Sequence, residues 1–182
     1  MKTIVTINNS IRAKITDKCG LSCGFCHNEG TLVRRADSNR VSIFSKKNHC
    51  MLYPGEMSVD DNFLSLFKQA KYRLDVEDVH LTGGEPSLNM HAEDIIASLK
   101  GLGLTVKMTS NGETGGDRIK DIIDAGIDGI NFSILGLTAE DFQRTQNNYH
   151  LDKSFYENKI QRIQEAIDLA IKEGIYVAAN MV

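Results

Sequence analysis

Between Val76 and Gly101 the chain reads VEDVHLTGGEPSLNMHAEDIIASLKG. Val76 to Leu81 is a short apolar run of strand character, a glycine-rich turn follows, and Ile95, Ile96 and Leu99 then fall on one face of a helix over Ala92 to Leu99 that Gly101 ends. The same unit recurs on both sides. Ile11 to Ile15 reads as a first strand running into Thr16-Asp17-Lys18-Cys19. After a Ser58 N-cap, Val59, Phe63, Leu66, Phe67 and Ala70 mark a helix ending near Leu74. Thr105 to Thr109 is the third strand, and Ile119, Ile122, Ile123 and Ala125 mark the helix after it. Gly129 to Ser133 is the fourth strand. A helix over Lys159 to Lys172, stopped at Gly174, leads to the fifth at Ile175 to Val182. Strands separated by helices require parallel pairing with crossovers, which gathers the loops after successive strands on one edge. Chemistry is expected at that edge. Five such units are too few to close an eight-unit barrel of about 250 residues. The pattern therefore predicts an α/β fold, a partial, open TIM-like barrel of parallel strands with helices outside. It forms one domain over residues 1–182, with later units expected beyond Val182.

The 182 residues are 41% hydrophobic and 25% charged, with a formal net charge of -3. That balance supports one sizeable core and gives no whole-molecule basic field, so a protein living on phosphate-backbone attraction is not expected. No apolar run approaches the roughly 18 to 20 residues of a membrane span, and Met1 to Ser10 lacks the order of a signal peptide. The expectation is a cytoplasmic protein with neither nucleic acid nor membrane as partner.

In that compartment four cysteines are reduced thiols, to be read first for metal or redox chemistry. Cys19, Cys23 and Cys26 sit together in CGLSCGFC, and Cys50 stands alone. Thiolates at spacings of four and three can face one point from a tight loop that Gly20 and Gly24 let fold closely. A structural zinc wants four closed ligands and would recruit His27 or Cys50. An iron-sulfur cluster on three cysteines keeps one iron open to a substrate or cofactor. Spacing alone leaves both readings standing. Leu81-Thr82-Gly83-Gly84-Glu85-Pro86, placed on the same sheet edge, adds two glycines that let a ligand approach the backbone and a carboxylate acceptor for an ammonium group.

Cys19, Cys23 and Cys26 combined with Gly83-Gly84-Glu85-Pro86, in this order after strands one and two, resemble the radical S-adenosylmethionine (SAM) superfamily. The nearer resemblance is to the branch of molybdenum-cofactor biosynthesis protein A, the GTP 3',8-cyclase. Arg12 followed by Thr16-Asp17-Lys18-Cys19-Gly20, Thr109-Ser110-Asn111-Gly112, Asn131-Phe132-Ser133, Leu137-Thr-Ala-Glu-Asp-Phe and Asn180-Met181-Val182 are all similar to segments of that branch. The resemblance implies a [4Fe-4S] cluster on Cys19, Cys23 and Cys26. It also implies SAM as the second cofactor, chelating the open iron and split on reduction into methionine and a 5'-deoxyadenosyl radical. It places Phe25 beside the adenine and Gly83, Gly84, Glu85 and Pro86 at the methionine end. It puts Ser110, Asn111 and Ser133 at the ribose or carboxylate, and Arg12, His80 and Thr109 toward the substrate. The implied partners are a small-molecule substrate and an external low-potential electron donor such as flavodoxin or ferredoxin. Bland roles also exist: Phe25 as a shield, Asn111-Gly112 as a turn and Ser133 as a strand-end cap.

The sequence departs from the cyclase pattern at several positions. His80 stands where that branch has Arg, Gly20 follows the first cysteine instead of Asn, Ser133-Ile134-Leu135 replaces Ser-Leu-Asp, and His27-Asn28 replaces Met-Pro. The preferred function is radical chemistry on a small polar metabolite such as a nucleotide, nucleoside or sugar. A peptide-modifying enzyme of the same superfamily and a non-catalytic zinc-binding module are the alternatives. From His27 to Met57 the chain has no clear period apart from Val41-Ser-Ile-Phe, a possible short strand. Arg34, Arg35, Arg40, Lys46, Lys47 and His49 make the segment basic, as either a solvated loop or a lid toward an anionic substrate.

Overall fold

The computed structural model describes residues 9–26, 31–32, 56–146 and 151–181. His27, Cys50 and the basic segment with its expected strand lie outside the described residues.

Five strands form one parallel sheet in the order of the chain: β1 (Ser10–Thr16), β4 (Asp78–Gly83), β5 (Thr105–Ser110), β6 (Gly129–Ile134) and β7 (Tyr176–Met181). Two short strands, β2 (Lys18–Cys19) and β3 (Thr31–Leu32), pair separately in parallel. The helices are α1 (Asp61–Leu74), α2 (Ala92–Gly101), α3 (Gly116–Asp124), α4 (Ala139–Arg144) and α5 (Lys153–Lys172), with a 3-10 turn at Pro86–Leu88. The open parallel sheet expected from the sequence is thus present.

Alternation explains the two faces of the sheet. Ala13, Ile15, Val79, Leu81, Val106, Met108, Ile130 and Phe132 are buried together with side chains of α1, α2, α3 and α5 in one apolar core. The intervening positions are polar. Arg12, His80 and Lys107 are paired in register across β1, β4 and β5, and Thr109 pairs with Asn131 across β5 and β6.

The first helix begins two residues later than Ser58 predicts. Asp60 is the N-cap, its carboxylate accepting from the Phe63 N–H at 2.7 Å. The six-residue α4 was not expected. Its N-cap Thr138 accepts from the Asp141 N–H at 3.2 Å and donates to the Asp141 carboxylate at 2.8 Å. A second apolar cluster of Leu21, Leu135, Ala139, Phe142, Tyr156 and Ile163 lies where β6, α4 and α5 meet the cysteine loop, with Cys19 and Cys23 packed against it.

Candidate cluster and cofactor site

The cysteine loop leaves β1 through Asp17 and is tied to the Gly83–Pro86 loop by main-chain bonds. Gly84 N–H donates to Thr16 O at 2.9 Å and Glu85 N–H to Lys18 O at 2.7 Å. The approach is too close for any side chain. A Cβ on Gly83 would lie 2.5 Å from Thr16 O, and one on Gly84 would collide with the Lys18 carbonyl. At these two glycines, expected to let a ligand approach, neighbouring main chain occupies the space beside both Cα atoms.

Glu85 is held within the protein. It is 1% exposed, and its carboxylate accepts from Ser87 N–H at 3.0 Å, Ser87 Oγ at 2.6 Å, Ser110 Oγ at 2.8 Å and Asn111 N–H at 2.6 Å. It stitches the ends of β4 and β5 together, with Pro86 buried beside it. Burial raises its carboxyl above the ordinary value, opposed by these hydrogen bonds. Ser110 is buried and turned to Glu85, and its oxygen accepts from Gly112 N–H at 3.0 Å. Asn111 combines turn and sulfur contact: Oδ1 accepts from Glu113 N–H at 2.9 Å while Nδ2 lies 3.7 Å from Cys19 Sγ.

Amide N–H groups face two of the sulfurs. Cys19 Sγ receives Leu21 N–H at 3.5 Å besides the Asn111 amide, and Cys23 Sγ receives the Gln146 amide at 3.3 Å. Burial pushes the Cys19 thiol up, reinforced by Glu113, Glu85 and Cys23 and opposed by the Leu21 N–H. A metal cation that replaces the proton removes this cost. Three cysteines on one loop, two of them with amide donors on their sulfurs, offer the kind of sulfur donors that an iron-sulfur cluster takes. Among the described residues no three His, Cys, Asp or Glu side chains converge tightly enough to hold an ion. The cysteines share one loop without forming a closed cage. Phe25, beside Cys26, is 46% exposed.

Two residues that the sequence did not flag hold this loop. Gln146 is 3% exposed, accepts from Ser22 N–H at 2.8 Å and pairs with Cys23 as an isolated antiparallel bridge. Glu113 is equally buried, accepting from Gly20 N–H at 2.8 Å and from Lys159 Nζ at 2.8 Å. Their partners lie 124 and 93 residues away, so no local pattern announces them. His80 Nε2 and Thr109 Oγ1 are 2.7 Å apart on the polar sheet face, and Lys107 lies 5.5 Å from the Tyr176 ring centroid. Asn131 Oδ1 on the same face is buried with no hydrogen-bond partner among the described residues. Ser133 is partly exposed at the end of β6, opposite Asn180.

The family model of the radical SAM superfamily matches residues 13–182. The chain belongs to that superfamily. Its cofactors are accordingly a [4Fe-4S] cluster and SAM. Similar curated proteins are probable GTP 3',8-cyclases. That of Halobacterium salinarum is 29% identical over 175 residues, 96% of this chain and 42% of its own length. That of Methanosarcina mazei is 34% identical over 134 residues, 74% and 35%. The chain spans less than half the length of these relatives. Among solved structures, anSMEcpe with bound AdoMet superposes with a TM-score of 0.63 at 16% identity, covering 93% of this chain and 43% of that one. Methylornithine synthase gives 0.59 at 13%, covering 94% and 44%. This radical SAM core therefore has the partial-barrel fold expected for it, and no helix among its described residues is long and apolar enough to cross a membrane.

Proposed function

We propose that this chain is the core of an enzyme that starts radical chemistry on a small polar metabolite, with Cys19, Cys23 and Cys26 as the cluster ligands. The observation that carries this reading is the hydrogen-bonded junction of the cysteine loop with the Gly83–Pro86 loop at one sheet edge. Bound there, the cluster and SAM supply one-electron cleavage of a sulfonium and with it the 5'-deoxyadenosyl radical that removes a hydrogen atom from substrate. The protein's share is position and exclusion of water. In this reading Phe25 covers the adenine and the partly exposed loop at Gly83 and Gly84 meets the methionine end. Ser133 reaches the ribose or carboxylate, while Glu85, Ser110 and Asn111 fix the loop behind them.

The substrate would lie on the polar sheet face. Arg12 and Lys107 flank His80 in one register row, and Lys14, ion-paired with Asp17, follows on the same face of β1. Such a row favours an anionic substrate, and the description of the relatives as GTP 3',8-cyclases favours a nucleotide within that class. Asn131 Oδ1 offers an acceptor to a substrate N–H or O–H. The electron is taken to come from an external low-potential donor such as flavodoxin or ferredoxin.

Anaerobic reconstitution tests the proposal. The expected product is brown, holds about four irons per chain and releases 5'-deoxyadenosine from SAM when reduced with dithionite. Cys23→Ala is expected to lose the iron while keeping its far-ultraviolet circular dichroism. Colourless protein with one tightly held zinc would point to a binding module instead.

A further inference from the structure

We propose that the ion pair between buried Glu113 and half-buried Lys159 sets the reduction potential of the cluster, an inference that rests on the cysteine assignment above. Glu113 reaches the loop from the turn after β5 and Lys159 from α5. Their side chains are only 4% and 16% exposed, and their charged atoms are 2.8 Å apart. The carboxylate lies directly against the backbone next to Cys19. Its Oε1 accepts from Gly20 N–H at 2.8 Å and from the Asn111 amide at 3.2 Å, and any Cβ on Gly20 would collide with it. Lys159 stands behind it, 5.6 Å from the Phe155 ring centroid. The order of charges away from Cys19 is therefore anion first, cation second.

An ion pair with a buried carboxylate is a poor device for stability alone, because desolvation offsets much of the attraction, and a neutral acceptor would hold the Gly20 N–H as well. Its electrostatic effect on a neighbour is larger. In a region shielded from water, charges act with little screening on any group whose charge changes. The cluster is such a group, since one-electron reduction by dithionite adds one negative charge to it. Glu113 opposes that added charge and Lys159 favours it, so the two act as positioning residues with opposite signs.

The test compares the full-length reconstituted chain with Lys159→Met, Lys159→Arg and Glu113→Gln, counting iron and measuring the cluster midpoint potential by anaerobic redox titration followed by electron paramagnetic resonance. The expected result is a lower potential in Lys159→Met, a near wild-type value in Lys159→Arg and a higher potential in Glu113→Gln. A purely structural role would move both charge-removing variants the same way, through a disturbed loop, and that result overturns the proposal, as does an unmoved potential. Should Glu113→Gln fail to hold iron, the contrast between Lys159→Met and Lys159→Arg decides alone: a shared value refutes the pair's role. Full iron retention in Cys23→Ala would instead refute the cysteine assignment, leaving the two failures distinguishable.

Discussion

Gly84 carries a constraint that comes from the chain itself. A Cβ there would lie 2.6 Å from the Lys18 carbonyl carbon and 2.8 Å from Asp17 O, and neither backbone atom can rotate away as a side-chain tip could. Gly84→Ala must push apart the two loops whose contact defines the site. Overpacking of this kind costs about 1 to 3 kcal/mol. The expected outcome is a lower thermal midpoint together with reduced iron per chain after reconstitution. Gly101 is the control, since an added Cβ meets nothing within 4 Å and its position is helical. Gly101→Ala is expected to gain about 0.5 to 1 kcal/mol, read as a raised midpoint with unchanged iron. Equal midpoints for the two variants would show that the backbone contact at Gly84 is not tight in solution.

At the scale of elements, the sequence was most legible where periodicity is long. All five sheet strands and the helices α1, α2, α3 and α5 follow from alternation and helical spacing, with most ends shifted by a residue or two, while α5 starts at Lys153, six residues before the Lys159 expected. The shifts have local causes: Asp60 outcompetes Ser58 as a cap because its carboxylate reaches the N–H of Phe63. The two-residue β2 and β3 and the six-residue α4 are too short to leave a period. Nor does periodicity announce the clasp on the 3-10 turn. Arg118 of α3 donates from Nε to Ser87 O at 2.9 Å and from Nη2 to Asn89 O at 2.7 Å and to Glu93 of α2 at 2.8 Å. The Arg118 guanidinium lowers the Glu93 carboxyl below its ordinary 4.5. A depressed folded-state value means that the pair's stabilisation is present above pH 4.5 and is lost as pH falls below it. Glu93 is a third exposed, so the contribution is about 1 kcal/mol at most. Urea titrations of Glu93→Gln and wild type should therefore differ at pH 7, and the difference should shrink as pH falls below 4.5. A difference that stays constant over that range would show that the clasp is not ionic.

At the scale of the molecule, the described residues build two apolar cores with different duties. The larger one holds the sheet to α1, α2, α3 and α5, and the strand and helix patterns give away its members. The smaller one seats the cysteine loop. Its residues come from Leu21, the end of β6, α4 and α5, and only the folded topology brings them together. The sequence thus announces the cysteines and the Gly83–Pro86 loop but conceals what holds them, because Glu113, Gln146 and Phe142 act across long stretches of chain. Phe142 is fully buried, 5.5 Å from the Tyr156 ring centroid. Removing it should cost about 3 to 5 kcal/mol, and truncating Leu99 in the larger core about 2 to 5. If the smaller core serves the loop, the two variants separate on a second axis. Phe142→Ala should retain less iron per folded chain than Leu99→Ala when both are reconstituted at temperatures equally far below their own midpoints. Gly24 N–H and Ser22 N–H are held by Thr145 O and by Gln146, just beyond α4, so a displaced α4 moves the loop directly. Equal iron retention at matched stability would mean that the loop is fixed by its hydrogen bonds to the Gly83–Pro86 loop and Glu113, and that the apolar seat contributes only to folding.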